Sequence, residues 1–496
     1  MMAAQRETIE PSIKDDQEDE RMKKETNDWE LDQRLVQIVP SRRQLTFQQT
    51  EFYAFIHFTV NTYTDKEWGD GTEDESIFMP DRLNADQWVE AVKSAGMKGL
   101  ILTCKHHDGF CLWPSKYTNH SVARSPFRGG KGDVVREVSE ACRRGGIRFG
   151  VYLSPWDRNN ETYGQGEAYN DYFVNQLTEL LSNYGDIFSV WFDGACGEGK
   201  NGKKQKYDWE RYYEVIRRLQ PGACISVCGP DVRWCGNEAG QTRPAEWSVV
   251  PARLRDTEKV ASESQQEDDD SFRQKTLNTM DLDLGSREIV AKEKDLIWYP
   301  AEVDTSIRPG WFYHASEDDK VRSLEELLHI YENSVGGNAM LLLNIPPTRE
   351  GLIHENDVKR LREIGEYRKK AFSQNLLTEA VLEAEPGENG HGIEGVREDN
   401  YETFYKPADG VREVRITVRF PAETAVSFVV LKENIKLSQR IERFEIRDGK
   451  DNVLYEGTTV GYQKIARLKE SVKADELRIC ILDSRVCPTL AFVGVY

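Results

Sequence analysis

The chain has 496 residues, 39% of them hydrophobic and 10% aromatic, which is enough to bury a sizeable core and too many for one ordinary domain. A formal net charge of -19 argues against nucleic acid or an anionic membrane surface as a partner, and no apolar run is long enough to cross a bilayer. Neutral small molecules and sugars are left open.

Residues 1–34 are polar and charged, without the apolar core of a signal peptide, and read as a disordered tail. The default compartment is then the cytosol, with secretion open if this N-terminus is not the native one. From Thr46 onward short apolar runs alternate with amphipathic helical patterns, as repeated βα units do. Phe52–Ile56 reads as a strand ending at His57. Asn84 caps a helix with Trp88, Val89, Val92 and Ala95 on one face, stopped by Gly96. Gly99–Cys104 is the next strand and leads into Lys105-His106-His107-Asp108-Gly109. Helix 133–144 ends at Gly145-Gly146, and strand 147–153 delivers Tyr152 just before Ser154-Pro155-Trp156-Asp157. Helix 169–184 precedes the apolar run Ile187–Phe192, which stops at a lone carboxylate, Asp193, and a glycine turn. Helix 208–219 and strand 223–227 repeat the unit.

Residues 250–295, with the acidic run 267–270, break this rhythm and read as a solvated excursion. Leu296-Ile297-Trp298, helix 323–334, the run Ala339–Asn344 and a helix from about 354 to 371 resume it. Beyond residue 373 the runs 414–418, 426–430, 444–446 and 477–481 are short and separated by turns, the pattern of an antiparallel β-sandwich. The predicted architecture is therefore α/β: a (β/α)8-like barrel over 35–372 followed by an all-β sandwich over 373–496. A doubly wound sheet would alternate in the same way, but no GxGxxG fingerprint follows the first strand. The nine cysteines include no CxxC pair, and those in or beside apolar runs read as buried thiols.

In a barrel of parallel strands, chemistry sits where the strands end. That face gathers His57, Trp68, His106, His107, Tyr152, Trp191 and Asp193, with Trp234-Cys235-Gly236-Asn237-Glu238 from the loop after the fifth strand. Asp193 could simply cap its own loop; its company points further. Two carboxylates among aromatic rings and imidazoles suit glycoside hydrolysis, in which one attacks the anomeric carbon or activates water and the other protonates the leaving oxygen. A metal site of His106, His107 and Asp193 competes, but neighbouring residues on a strand point to opposite sides and make an awkward pair for one ion. No metal and no cofactor is expected. Glu246 rivals Glu238 for the acid role, and Glu302 and Arg308 either pair with each other or reach a second sugar. His314 reads as ordinary, and Trp311 as packing or sugar-facing.

Phe55-Ile56-His57-Phe58-Thr59, Glu67-Trp68-Gly69, Lys105 through Trp113, Tyr152 through Asp157 and Trp191-Phe192-Asp193-Gly194-Ala195 resemble the α-L-fucosidases of glycoside hydrolase family 29. Trp234 through Gly240 and Ile307 through Phe312 are similar to the branch selective for α-1,3/1,4-linked fucose. The resemblance implies a retaining exo-acting hydrolase of fucosylated oligosaccharides or glycoconjugates. Within it, Asp193 would be the nucleophile and Glu238 the acid/base. Fucose contacts would come from His57, Glu67, Trp68, His106, His107, Tyr152 and Trp191, with Trp311 beside them. The alternative is a catalytically weak fucose-binding protein on the same barrel.

Overall fold

The computed structural model describes residues 28–264 and 283–496. Strands β1 (Phe52–Ile56), β2 (Gly99–Lys105), β3 (Arg148–Leu153), β4 (Ile187–Phe192) and β5 (Cys224–Val227) are buried at nearly every position. Such strands need cover on both faces, which parallel sheets obtain from crossover helices. That cover comes from α1 (Ala85–Ser94), α2 (Val134–Gly145), α3 (Glu167–Asn183), α4 (Trp209–Leu219), α5 (Leu324–Ser334) and α6 (Glu355–Ala371). Each start follows local chemistry: Asn84 accepts from the Gln87 amide, Asp133 from Arg136 and Asp208 from Arg211, while Ser323 and Glu326 form a capping box.

The remaining wall strands are β6 (Arg233–Trp234), β9 (Ala301–Ser306) and β10 (Ala339–Asn344), separated in sequence by the antiparallel ribbon of β7 (Val249–Pro251) and β8 (Leu296–Trp298). The eight-stranded sheet runs β5-β4-β3-β2-β1-β10-β9-β6, and its two edges meet through one parallel bridge, Ser226 to Val232. Alternate side chains divide between two cores. Tyr53, Phe55, Ile101, Tyr152, Trp191, Met340 and Leu342 fill the barrel interior, whereas Ala54, Ile56, Leu100, Leu102, Val151 and Val190 pack outward on the helices.

Two expectations change here. Leu296–Trp298 is not a wall strand but half of the ribbon; the wall strand is β9, whose inward positions carry Glu302, Asp304 and Ser306 and therefore break the apolar pattern. β6 is only two residues long and leaves no periodicity to read. The described part of 250–295 contains β7, a turn at Ala252–Arg255 and helices Thr257–Glu263 and Arg287–Val290; the acidic run 267–270 lies outside the described residues. Structure also begins within the segment read as a tail. Residues 28–35 are helical, and Asp32 is fully buried against Arg287.

The second domain is antiparallel: β11 (Val381–Glu383), β12 (Val414–Glu433), β13 (Ile441–Asp448), β14 (Val453–Gly457), β15 (Lys464–Ser484) and β16 (Leu490–Val495). The runs 414–418 and 426–430, expected as separate strands, are one 20-residue strand whose pairing with β15 shifts register near Arg419 and Val426. Phe428, Ile465 and Phe492 join the barrel's outer core, and Gln439 reaches the Glu246 carbonyl. No described helix is long and apolar enough to cross a membrane.

Candidate active site

The inward faces of β1, β3 and β4 carry His57, Tyr152 and Trp191 to the carboxyl end of the barrel. His57 Nδ1 lies 2.8 Å from Asn344 Oδ1, and the Asn344 amide nitrogen donates to Ser306 Oγ and the Trp311 carbonyl. The Asn344 oxygen must then accept from His57 Nδ1–H, leaving His57 Nε2 as an acceptor toward the cleft. Ser154 Oγ donates to the Trp156 carbonyl at 2.7 Å and so accepts from His107 Nδ1, also at 2.7 Å. Burial drives His57 and His107 down to about 3 and holds His106 well below the usual imidazole range. Burial thus favours the neutral imidazole at all three.

Asp193 is fixed from two sides, by Tyr152 Oη donating to Oδ2 at 2.8 Å and by the Ala195 amide donating to Oδ1 at 2.8 Å. Burial raises its carboxyl above the ordinary range, while these hydrogen bonds favour the ionised form. Tyr152 is stacked between Trp191 and His106, which locks its hydroxyl on the carboxylate.

The expectation that His106 and His107 diverge fails. The ladder shifts register at Thr103–Lys105 and the chain turns immediately afterwards, the Gly109 amide donating back to the His106 carbonyl, so strand alternation no longer applies. The ring centroids are 4.1 Å apart, and ligand atoms of His106, His107 and Asp193 lie within 4.8 Å of one another. These groups can converge on one small ligand, and the geometric objection to an ion there falls. Gly109 has φ +82°, and a Cβ on it would strike Asp157, so the turn needs glycine. Beneath it Lys105 pairs with Asp157 at 2.9 Å, both fully buried, and Asp157 accepts the Asn159 and Asn160 amides.

Across the cleft, Glu67 accepts the Trp311 and Phe312 amides at 2.8 and 3.1 Å, and also His314 Nε2 at 2.8 Å. His314 is bound by Asp65 as well and is raised to about 9, chiefly by its bond to Glu67. His314 is therefore not ordinary: it is the cation of a carboxylate clamp on the loop after β9. A Cβ at Gly310 would come within 2.6 Å of Glu67 Oε1. Trp68 stands edge-on to His107 and Trp156. The clamp holds Trp311 with its ring 5.1 Å from His57 and its Nε1 3.3 Å from Glu238 Oε2, so Glu238, half-buried, shares the cleft with the imidazoles.

Glu246 is elsewhere. It is 1% exposed, ion-paired with Arg233 and, at 3.6 Å, with Arg243. Glu302 and Arg308 do not meet either: Tyr53 and Trp191 donate to Glu302, burial lifting it to about 7, whereas Arg308 is bound by Asp357 and Asp318. Sequence reading missed Asp304, buried on β9 with the Trp234 indole 2.9 Å from Oδ1. The signal was the alternation Glu302, Asp304, Ser306 in an otherwise extended stretch.

The α-L-fucosidase family model matches residues 24–371. Alpha-L-fucosidase 1 of Arabidopsis thaliana is 39% identical over 471 residues, spanning 92% of this chain and 87% of its own length. The crystal structure of SpGH29 superposes with a TM-score of 0.81 at 34% identity, covering 92% of this chain and 98% of that one. A Ruminococcus gnavus GH29 fucosidase in complex with fucose gives 0.79 at 30% identity, covering 92% and 95%. The chain thus belongs to glycoside hydrolase family 29 and is an α-L-fucosidase.

Proposed function

We propose that this enzyme removes terminal α-1,3/1,4-linked L-fucose from oligosaccharides or glycoconjugates by double displacement with retention. The observation that carries this reading is the pairing of a fixed, hydrogen-bonded Asp193 with a second carboxyl, Glu238, on the Trp311 indole across a cleft of neutral imidazoles. Asp193 attacks the anomeric carbon as its bond to the leaving oxygen breaks, and that oxygen takes the proton of Glu238. Glu238 then removes a proton from water, whose oxygen displaces Asp193 as a carboxylate. Neutral imidazole nitrogens accept hydroxyl protons of the sugar, while Trp68 and Trp311 offer apolar faces to it. Linkage selectivity is supported by the likeness of Trp234–Gly240 and Ile307–Phe312 to the selective branch, two segments that meet where the Trp311 indole reaches Glu238.

The test is chemical rescue. Asp193→Ala is expected to lose nearly all fucose release while staying folded and to yield β-fucosyl azide from an activated aryl fucoside in azide, by one inversion, whereas Glu238→Gln is expected to regain turnover of the same fucoside in azide with α-fucosyl azide as product, by two inversions. Rescue at Glu246→Gln instead, or normal turnover by Asp193→Ala, would overturn the assignment. Comparison of α-1,3/1,4- with α-1,2- and α-1,6-fucosylated oligosaccharides tests the linkage.

A further inference from the structure

Glu302 has no part in the double displacement, yet its two oxygens tie together three strands that are not neighbours in the wall, β9, β4 and β1. Trp191 of β4 donates its indole N–H to Oε1 at 2.7 Å, and Tyr53 of β1 donates its hydroxyl to Oε2. Glu302 is 1% exposed and forms no ion pair among the described residues. Ladder hydrogen bonds fix where a strand runs but not how a ring turns about its side-chain bonds, and the N–H is the only polar handle an indole has. Turned any other way, the Trp191 ring would leave that N–H and a carboxyl oxygen unpartnered in a dry interior.

The ring so fixed is one of the two faces on which Tyr152 rests. Tyr152 and Trp191 are register partners on β3 and β4, their ring centroids 5.4 Å apart and their planes 24° from parallel. The Tyr152 hydroxyl in turn donates to Asp193 Oδ2 at 2.8 Å. Phe55 lies against both rings, 5.1 Å from Trp191 and 5.7 Å from Tyr152. Ring contacts of this kind tolerate sliding, whereas a hydrogen bond to a carboxyl oxygen is directional.

We propose that Glu302 is the positioning residue of the nucleophile: by holding the Trp191 indole it fixes the face on which Tyr152 rests, and so keeps the Tyr152 hydroxyl on Asp193. The inference rests on the reading of Asp193 as nucleophile. The brace does not depend on the charge of Glu302. Burial lifts Glu302 to about 7, and the titratable groups that share its surroundings are Tyr53 of β1, Cys224 of β5 and Asp304, the next inward position of β9. An indole can only donate, so Oε1 stays an acceptor in either state; a proton on Glu302 belongs on Oε2, with the Tyr53 hydroxyl turned to accept it. Glutamine can do the same, its carbonyl oxygen toward Trp191 and its amide nitrogen toward Tyr53. Leucine cannot.

The experiment is a double-mutant cycle on kcat/KM for an aryl fucoside across pH, with circular dichroism to confirm folding. Glu302→Leu is expected to lower kcat/KM about tenfold and to move its acid limb to higher pH, because Asp193 loses the bond that supports its ionised form. In a Tyr152→Phe background the same change should cost less than about threefold, since the hydroxyl it positions is gone. Glu302→Gln should keep most of the activity and the original limb. If Glu302→Leu does not fold, Trp191→Phe, which removes the same N–H, replaces it in the cycle, with the acid limb as the readout. Equal losses in both backgrounds, an unmoved limb, or a Glu302→Gln variant as impaired as Glu302→Leu would overturn the proposal. Asp193→Ala in azide on the same fucoside separates the two claims: if no β-fucosyl azide forms, the nucleophile reading itself fails; if it forms while Glu302→Leu leaves the limb in place, only the brace fails.

Discussion

Tyr152→Phe isolates one hydrogen bond at the nucleophile. The hydroxyl sits 2.8 Å from Asp193 Oδ2 on a ring held by stacking against Trp191 and His106, so the truncated ring should keep its place. Hydrogen bonds to charged groups contribute about 1.5–3 kcal/mol, and one pKa unit corresponds to about 1.4 kcal/mol. Burial already raises Asp193, and the Tyr152 bond opposes that rise. Removing it therefore lifts the Asp193 carboxyl further, since the ionised form loses a bond of about 1.5–3 kcal/mol. The consequence is a shift of the acid limb of kcat/KM to higher pH, because the carboxylate must be ionised to attack, with the plateau above it largely retained. The assay is the pH dependence of aryl fucoside hydrolysis, with circular dichroism to confirm folding at each pH. An acid limb that stays in place, or moves to lower pH, would refute the assignment of that limb to Asp193.

Glu246→Gln should weaken the fold rather than the chemistry. Breaking a buried pair costs about 3–5 kcal/mol, here by leaving Arg233 and Arg243 uncompensated, so denaturant melts should show the loss while the dependence on leaving group is unchanged. His314, raised to about 9 from 6.5, contributes stability that is complete below its unfolded pKa and lost as pH rises through 9. A histidine titration followed by NMR should place its midpoint near 9, and Glu67→Gln should lower it; a midpoint in the ordinary range with Glu67 intact would refute the clamp.

The legible parts of the sequence were those where one rule acted alone. Apolar runs such as Phe52–Ile56 and Ile187–Phe192 could only be strands covered on both faces, and Asn84 and Gly96 punctuated a helix as local capping chemistry requires. His57, His106, His107, Tyr152 and Asp193 stood out because each lies at or just beyond the end of such a run. What escaped lies where the barrel's own interior becomes polar. β9 carries acids at its inward positions, so the purely apolar Leu296–Trp298 looked more like a strand than Ala301–Ser306 did. The partners of Arg308, Asp318 and Asp357, are set by how α6 packs, and no local spacing encodes that. His314 lay at no strand end and gave no sign of the clamp it completes with Glu67.

The wall closes between β5 and β6 through a single bridge, Ser226 to Val232, and Val227 beside it adopts a left-handed backbone that a β-branched residue rarely accepts. The two proposed carboxyls therefore stand on ground of different stiffness. Asp193 directly follows β4, which is paired with β3 on one side and β5 on the other, whereas Glu238 is carried by chain that has just crossed the single bridge between Ser226 and Val232. A displacement that would tear several main-chain hydrogen bonds at β4 disturbs few at β6. In the proposed mechanism such an arrangement lets Glu238 follow leaving groups of different shape while Asp193 stays in register with the sugar.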